Sequence, residues 1–318
     1  MVDATEPRVI ESRFAVESDC AGWRLDRYLR HKIPRLSRTR IQRIIKLQLT
    51  VDGAPAKPSS KLRAGQGILI RRPAPREPPV PRDFRVLFDD GDVLAIDKPA
   101  GLPMHPTARY HFGTLTRLLS ERFPGQPLQI AHRIDRETSG LVLIARGPVA
   151  ARGLKMAFAA RKVEKKYLAL VHGQVRDGLG TIDLPLRLSE GPIKIKMVVD
   201  RAAGLPSRTR WRVVERLPAH TLLECRPETG RQHQIRAHLF AIGHPLVGDK
   251  LYCSDEQLFT DFCDRGWSDT LADRLVLPRQ ALHAFEVRFP HPRTGVWTTL
   301  TAPLAEDIAA YVRALREQ

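Results

Sequence analysis

Hydrophobic and polar residues follow two different periods in the first quarter of the chain, and each period predicts a different element. In LSRTRIQRIIKLQL, Ser37 is suited to cap a helix. Four apolar residues recur after it at helical spacing and predict one buried stripe: Ile41, Ile44, Ile45 and Leu49. The pattern of LDRYLRHKI predicts a shorter helix before it. The Asp-Gly pair of TVDGAP predicts a hairpin turn, and GILIRR predicts a strand.

Beyond residue 84 the pattern changes to short apolar runs that are separated by turns. Six runs predict strands: RVLFDD, VLAIDKP, LVLIAR, KYLALVHG, TRWRVVERL and HTLLECRP. Three stretches predict helices: TLTRLLSERF with Thr114 as its cap, PVAARGLKMAFAARK, and LAEDIAAYVRALRE near the C-terminus. Neighbouring strands with dispersed helices predict the α+β class, with a mixed, largely antiparallel sheet and flanking helices behind a small α/β module.

A proline-rich stretch separates these two regions. PAPREPPVP favours an extended spacer over a packed element. The 318 residues are also enough for more than one domain. The sequence therefore predicts four segments: an N-terminal extension (1–22), a basic domain (23–72), a linker (73–83) and a second domain (84–318).

Positive charge is concentrated in the predicted basic domain. The whole chain has 52 Lys and Arg against 35 Asp and Glu, and residues 23–72 alone have fourteen basic residues and two acids. Four cations fall off the apolar stripe of the second helix, where they would be open to solvent or to phosphate: Arg38, Arg40, Arg43 and Lys46. A solvated face is the ordinary reading of such a run, but the scarcity of interspersed acids favours a surface that binds nucleic acid.

Several other classes of protein are disfavoured by the sequence. The chain has no run of eighteen apolar residues and no apolar stretch at its N-terminus, so we expect a cytoplasmic protein rather than a membrane protein. Its four cysteines form no CxxC pair, which argues against a zinc site or a disulfide framework. Glycine-rich phosphate loops are also lacking, so a nucleotide cofactor is not expected.

Three stretches place reactive side chains beside turn residues. HRIDRETSG sets Asp135 between Arg133 and Arg136, which is typical of either a surface ion pair or a binding site. EKKYLALVHG places Tyr167 at a buried strand, where core packing is the ordinary explanation.

The third stretch, TGRQHQIRAH, gathers Arg231, His233 and Arg236 after a turn and predicts a cationic pocket. Its histidines, His233 and His238, are five residues apart. That spacing does not suit a metal pair on one helical face, so no metal is expected.

These stretches together resemble a known family. The stretches KPAGLPMHP, HRIDRETSGLVLIAR, EKKYLALVHG and TGRQHQIRAHL with GHPLVGD resemble, in order and spacing, the motifs of the RluA family of RNA pseudouridine synthases, and LHAFEVRFPHP resembles its late segment. The basic domain resembles the small RNA-binding domain of the ribosomal small-subunit protein S-four type.

The resemblance implies an isomerisation of uridine to pseudouridine in RNA, without a metal or an organic cofactor. It implies that Asp135 is the nucleophilic or glycal-forming carboxylate, that Tyr167 transfers a proton, and that Arg236 pairs with the aspartate. It implies that Arg133 enters the helix stack where the target base leaves. We expect Arg136, Arg231 and His233, together with the four helix cations, to bind RNA.

The RNA target stays open at this stage. Large-subunit ribosomal RNA is favoured, while TARYH (107–111) resembles branches that act on tRNA, and the segment 253–280 reads as a surface insertion without an assigned role. A non-catalytic RNA-binding assembly factor is the alternative from another class. Hydrolysis of a sugar bond is disfavoured because no second carboxylate accompanies Asp135. A monomer satisfies every feature of the sequence.

Overall fold

The computed structural model describes residues 9–107 and 109–318, so residues 1–8 of the predicted extension and Ala108 of the TARYH segment lie outside the described residues. It divides the chain into two compact units, Met1–Pro78 and Pro79–Gln318. The division falls between two prolines of the predicted linker.

The strands are β1 (Val9–Ala15), β2 (Leu49–Val51), β3 (Ala54–Pro55), β4 (Gly67–Pro73), β5 (Arg85–Asp89), β6 (Val93–Lys98), β7 (Leu128–Ile130), β8 (Ser139–Arg146), β9 (Glu164–His172), β10 (Leu179–Asp183), β11 (Leu186–Leu188), β12 (Met197–Val199), β13 (Arg208–Leu217), β14 (His220–Pro227), β15 (Leu282–Pro290) and β16 (Trp297–Thr301). The α-helices are α1 (Leu25–Lys32), α2 (Arg38–Gln48), α3 (Leu115–Arg122), α4 (Gly147–Ala159), α5 (Gln234–Ala241), α6 (Gln257–Arg265), α7 (Asp269–Leu275) and α8 (Glu306–Arg316).

The first unit packs two helices on a four-stranded sheet in the order β1-β4-β2-β3. Both predicted helices are confirmed, and the Ser37 side chain accepts a hydrogen bond from the backbone nitrogen of Arg40 as the predicted cap. Within the predicted stripe, Ile41, Ile45 and Leu49 are buried and Ile44 is half-buried. This apolar stripe leaves the charged positions of α2 exposed to solvent.

The predicted N-terminal extension is corrected by this sheet. Val9–Ala15 pairs antiparallel with the whole of β4, from Val9 opposite Pro73 to Ala15 opposite Gly67. Residues 9–22 therefore belong to the first unit. The strand was missed because the polar Glu11, Ser12 and Arg13 interrupt its apolar residues, so VIESRFA gave no run of the kind that marked the other strands.

The second unit is built on one large mixed sheet, as predicted. Its strand order is β10-β13-β14-β9-β15-β8-β6-β5, with β16 on β15 and β7 on β8. Among the described strands, β8 and β15 form the one parallel pair, and the remaining pairs are antiparallel. The six strands and three helices predicted for this region are present, and Thr114 caps α3 by accepting from the backbone nitrogen of Arg117.

Both faces of the central strand β8 are buried, which explains why its sequence is continuously apolar rather than alternating. Val142 and Ile144 join the core cluster that also contains residues of α3 and α5, whereas Leu141 and Leu143 join the cluster under α4. The loop that precedes this strand is therefore anchored to the most buried part of the unit.

The predicted insertion contains two short helices, α6 and α7. Leu258, Leu271 and Leu275 bury a small apolar cluster of their own between these helices. No helix among the described residues is long and apolar enough to span a membrane.

Gly140 is expected to be essential for the parallel pairing of β8 with β15. Its φ is +106°, and an added Cβ would lie 2.8 Å from the backbone nitrogen of Ala284 and closer still to its carbonyl oxygen. Gly140→Ala should lower the free energy of unfolding by about 3 kcal/mol or more, measured by urea denaturation.

Gly147→Ala is the matched control, because Gly147 also has a positive φ but open space around the added Cβ. It should cost about 1 kcal/mol. Equal losses in the two variants would contradict the steric explanation.

Candidate active site

Asp135 lies in the loop that connects β7 to β8. The backbone nitrogen of Thr138 donates to the carbonyl oxygen of Asp135 at 3.2 Å, which closes a turn immediately before the buried strand. The Asp135 side chain is 21% exposed and lines a cavity. The turn before β8 thus places one carboxylate at the start of a central strand of the sheet.

Arg236, in the first turn of α5, pairs directly with this carboxylate. Its Nη1 donates to Asp135 Oδ2 at 3.0 Å, while its Nε and Nη2 donate to the two oxygens of Asp249 at 2.7 and 2.9 Å. Burial alone would lower the pKa of Arg236, but the Asp249 and Asp135 carboxylates outweigh that effect and raise it. The guanidinium is consequently a fixed cation between two acids.

Asp249 is fully buried and accepts four hydrogen bonds. Besides the Arg236 fork, its Oδ1 accepts from the backbone nitrogens of Leu251 and Tyr252, each at 3.0 Å. Burial would raise the pKa of Asp249, but Arg236 and these backbone donors lower it. The preceding Gly248 has a φ of +74°, and an added Cβ would lie 2.8 Å from the carbonyl carbon of Arg279. Only glycine fits the turn that places this anchor.

Tyr167 projects into the same cavity from β9. The ring is buried, and burial together with the Asp135 charge raises the pKa of its hydroxyl well above the usual value. The hydroxyl makes no hydrogen bond to any of the described residues, and the side chain lines the cavity. A neutral phenol is thus available to a bound molecule beside the carboxylate.

His233 precedes α5 in the left-handed conformation, with φ 51°. Its Nδ1 lies 3.2 Å from the Tyr252 hydroxyl and its Nε2 lies 3.9 Å from Asp135 Oδ1. Burial, reinforced by the nearby Arg236, lowers the pKa of His233 to about 4. The imidazole is therefore neutral at physiological pH and adds polarity rather than charge.

The cavity around these groups has a volume of about 320 Å³. Arg133 and Arg231 line it together with Asp135, Tyr167, His233 and Arg236, as the sequence grouped them. Among the described residues that line it, Asp135 is the one carboxylate, because Asp249 lies behind Arg236. The site thus lacks the second carboxylate that a glycosidase uses.

Arg136 is the predicted RNA-binding residue of this motif that the structure places outside the cavity lining. Its Nη1 donates to the Tyr110 hydroxyl at 2.8 Å, and its Nη2 donates to Glu137 at 2.9 Å. The four predicted cations of α2 are exposed, but they belong to the first unit.

Lys98 supports the loop that holds Asp135 by a hydrogen bond to the carbonyl oxygen of Arg136. This residue was not identified from the sequence. Its fully buried ammonium donates to the carbonyl oxygens of Pro99, Leu102 and Arg136 at 2.8 to 3.0 Å. Burial lowers the pKa of Lys98 to about 7. Lys98 and Asp249 both lie within stretches that the sequence marked, KPAGLPMHP and GHPLVGD. A single sequence does not show which residues of these stretches are buried supports of the site.

One cluster of potential metal ligands occurs among the described residues, away from this cavity. Ligand atoms of Asp90, Asp92 and His291 lie within 4.8 Å of one another. Arg293 already pairs with Asp92, and the backbone nitrogens of Asp92 and Val93 donate to Asp90. These contacts describe a structural ion-pair cluster that joins the β5–β6 turn to the end of β15.

Comparisons with known proteins show which family this chain resembles. The profile of the RNA pseudouridylate synthase family matches residues 92–241. A protein of Xanthomonas campestris named ribosomal large subunit pseudouridine synthase D is 38% identical, and the match covers 99% of this chain and 96% of that protein. A Pasteurella multocida protein named ribosomal large subunit pseudouridine synthase C is 33% identical, over 95% of this chain and 93% of that protein.

A solved structure shares the fold. Human RNA pseudouridylate synthase domain containing 4 is 26% identical and has a TM-score of 0.58, over 73% of this chain and 93% of that one.

Removal of the Asp249 carboxylate should destabilise the protein strongly. Asp249→Ala leaves the buried Arg236 guanidinium without its bidentate partner. Removing one partner of a buried ion pair lowers the free energy of unfolding by about 3–5 kcal/mol. The measurement is urea denaturation followed by circular dichroism.

Asp183→Ala is the control, because Asp183 pairs with Arg208 on an exposed strand edge, where an ion pair contributes about 1 kcal/mol or less. A loss of stability at Asp249 as small as that at Asp183 would show that Arg236 does not depend on this anchor.

Proposed function

The chain belongs to the RluA family of RNA pseudouridine synthases, and we propose that it isomerises uridines of large-subunit ribosomal RNA with Asp135 as its catalytic carboxylate. The observation that carries the proposal is the ion pair of Asp135 with Arg236, which is fixed by Asp249 and lines the same cavity as Tyr167. One carboxylate, one guanidinium and one phenol are the groups that the reaction requires.

The target uridine has to leave the RNA stack before it can reach Asp135. Flipping a base out of a helix costs a few kcal/mol, which contacts between the protein and the RNA have to supply. The exposed Arg133 lines the cavity that holds Asp135, so it is positioned to occupy the space that the departing base leaves. Arg231 and the neutral His233 supply further polar contacts at the cavity wall.

Asp135 then acts at the sugar, as the nucleophile or as the glycal-forming carboxylate. The bond from the ribose C1′ to uracil N1 breaks, the detached uracil turns within the cavity, and a new bond forms from C1′ to uracil C5. The C5 proton is released and N1 gains a proton, so the overall reaction is an isomerisation. Exclusion of water favours this outcome, because the uracil rather than water has to recapture the sugar. Arg236 holds the carboxylate in place throughout by a charge-assisted hydrogen bond.

Tyr167 is the proposed partner for proton transfer. The raised pKa of its hydroxyl means that it enters the reaction as a phenol, which donates a hydrogen bond to the uracil or relays a proton to Asp135. Its position on a central strand keeps the ring rigid beside the reacting atoms.

The first unit is proposed to bind RNA in the manner of a domain of the S-four type. The support for this is the exposure of Arg38, Arg40, Arg43 and Lys46 on α2, a surface that suits phosphate contacts. Ribosomal RNA is favoured as the substrate because the curated relatives named above are ribosomal large-subunit enzymes. The tRNA alternative, the monomeric state and the cytoplasmic location stay predictions.

Asp135→Asn should abolish pseudouridine formation, because the amide can serve neither as the nucleophile nor as the glycal-forming carboxylate, while RNA binding persists. The measurement is tritium release from RNA that carries 5-tritiated uridine. Asp183→Asn, at an exposed acid that is not among the residues lining the cavity, should retain full activity. Full activity of Asp135→Asn would exclude the proposed role, and retained binding without modification by the unaltered protein would favour the non-catalytic assembly factor.

Neutralisation of the α2 cations should weaken binding to RNA without changing the chemistry. The double variant Arg40→Ser, Arg43→Ser should make the fall of log affinity with log salt concentration less steep by about one to two, with a nearly unchanged kcat. The double variant Arg313→Ser, Arg316→Ser removes the same charge from α8, where both arginines pair with acids. If both variants lower the slope equally, net charge rather than the α2 surface determines binding.

A further inference from the structure

Lys165 is a cation beside the active cavity without a partner in the described part of the chain. It lies two residues before Tyr167 on β9, so both side chains project from the same face of the strand. Its neighbour Lys166 projects from the other face and pairs with Glu286 at 2.7 Å. No hydrogen bond or ion pair to the Lys165 ammonium occurs among the described residues, although the side chain is half-buried and burial lowers its pKa.

A second cavity, of about 210 Å³, lies against the first one at Lys165. Five residues line both cavities and form the strip between them: Lys165, Pro227, Thr229, Gly230 and Arg231. The Lys165 ammonium lies over Gly230, since a Cβ built on that glycine would be 3.9 Å from Nζ. Lys165 can therefore contact a group bound in either cavity.

The lining of the second cavity is cationic. Arg161, Lys165 and Arg231 line it, and its one acid, Glu228, is already paired with Arg210. Arg161 follows the C-cap residue of α4, Ala160, and has a φ of +55°, the left-handed conformation that is usually adopted by glycine at this position after a helix. An arginine there is conformationally costly, and such costs concentrate at functional positions.

We propose that the second cavity binds a backbone phosphate of the RNA strand next to the uridine in the active cavity, with the Lys165 ammonium as its main ligand. Arg161 and Arg231 flank this phosphate. The inference rests on the proposed function, because it places the reacting nucleotide in the first cavity. A phosphate adjacent to a flipped base lies within one nucleotide length of it, which matches two cavities that share one wall.

A contact from Lys165 to a uracil carbonyl is the competing explanation, and the geometry favours phosphate. A uracil oxygen would occupy the active cavity alone and would leave Arg161 and the second cavity without a role. Three cations around one small space favour an anionic ligand such as a phosphodiester over a neutral uracil oxygen. The half-buried and unpaired ammonium of the free protein then gains its counterion only when RNA binds.

The test compares Lys165→Met and Lys165→Arg with Lys166→Met, the control on the opposite face of β9. The probe is an unmodified transcript of large-subunit ribosomal RNA. Binding is measured in the Asp135→Asn background, in which the transcript is not consumed, between low and moderate KCl. Lys165→Met should weaken binding roughly tenfold and lower the salt slope by about one. Lys165→Arg should keep the slope, and Lys166→Met should leave both quantities unchanged.

The slope reports only on molecules that bind, so a partly unfolded preparation does not imitate the effect. An unchanged slope in Lys165→Met overturns the proposal, and so does a loss of kcat with unchanged KM and slope, which would indicate a contact to the base. Turnover distinguishes a failure of the proposed function from a failure of the phosphate site. If the protein with its natural residues forms no pseudouridine in the transcript, the proposed function fails. If pseudouridine forms normally and the slope is unchanged, only the phosphate site fails.

Discussion

The site depends on one guanidinium that is shared by two carboxylates. Arg236 is oriented by the buried Asp249 through two parallel hydrogen bonds, and its remaining nitrogen is then aimed at Asp135. A flexible arginine that faced the cavity alone would have to order several bonds each time a substrate bound. Because Asp249 and its backbone donors restrict the side chain in the free protein, the carboxylate at the cavity wall has a fixed partner before any RNA arrives.

The large sheet brings the parts of this arrangement together from distant points of the chain. Asp135 precedes the central strand β8, Tyr167 lies on β9, and β15 separates these two strands in the sheet. Both faces of β8 are covered, so the loop that it anchors has little freedom to move. The same sheet presents Lys165 and Lys166 to opposite faces, which gives two adjacent cations entirely different surroundings.

Local pattern was sufficient to predict much of the fold, and it was less informative about the site. Ser37 and Thr114 were recognised as caps because capping depends on the residue type and its immediate neighbours. The strand Val9–Ala15 was missed because Glu11, Ser12 and Arg13 interrupt its apolar residues, and it is fixed by pairing with the distant β4 rather than by local pattern. The motifs marked Asp135, Tyr167 and Arg236, but the brace formed by Asp249 and the support from Lys98 depend on which side chains become buried together. Short-range sequence patterns do not contain that information.

The position of β15 has a consequence for the order in which the protein becomes functional during synthesis. This strand enters the sheet between β8 and β9, more than a hundred residues after either of them has left the ribosome. A nascent chain that ends near residue 245 already contains Asp135, Tyr167 and Arg236, but it lacks the strand that holds their supports side by side. The first unit is complete much earlier and can fold while translation continues. With the first unit as the proposed RNA-binding unit, a chain that is truncated before β15 is expected to bind RNA without catalysing the reaction.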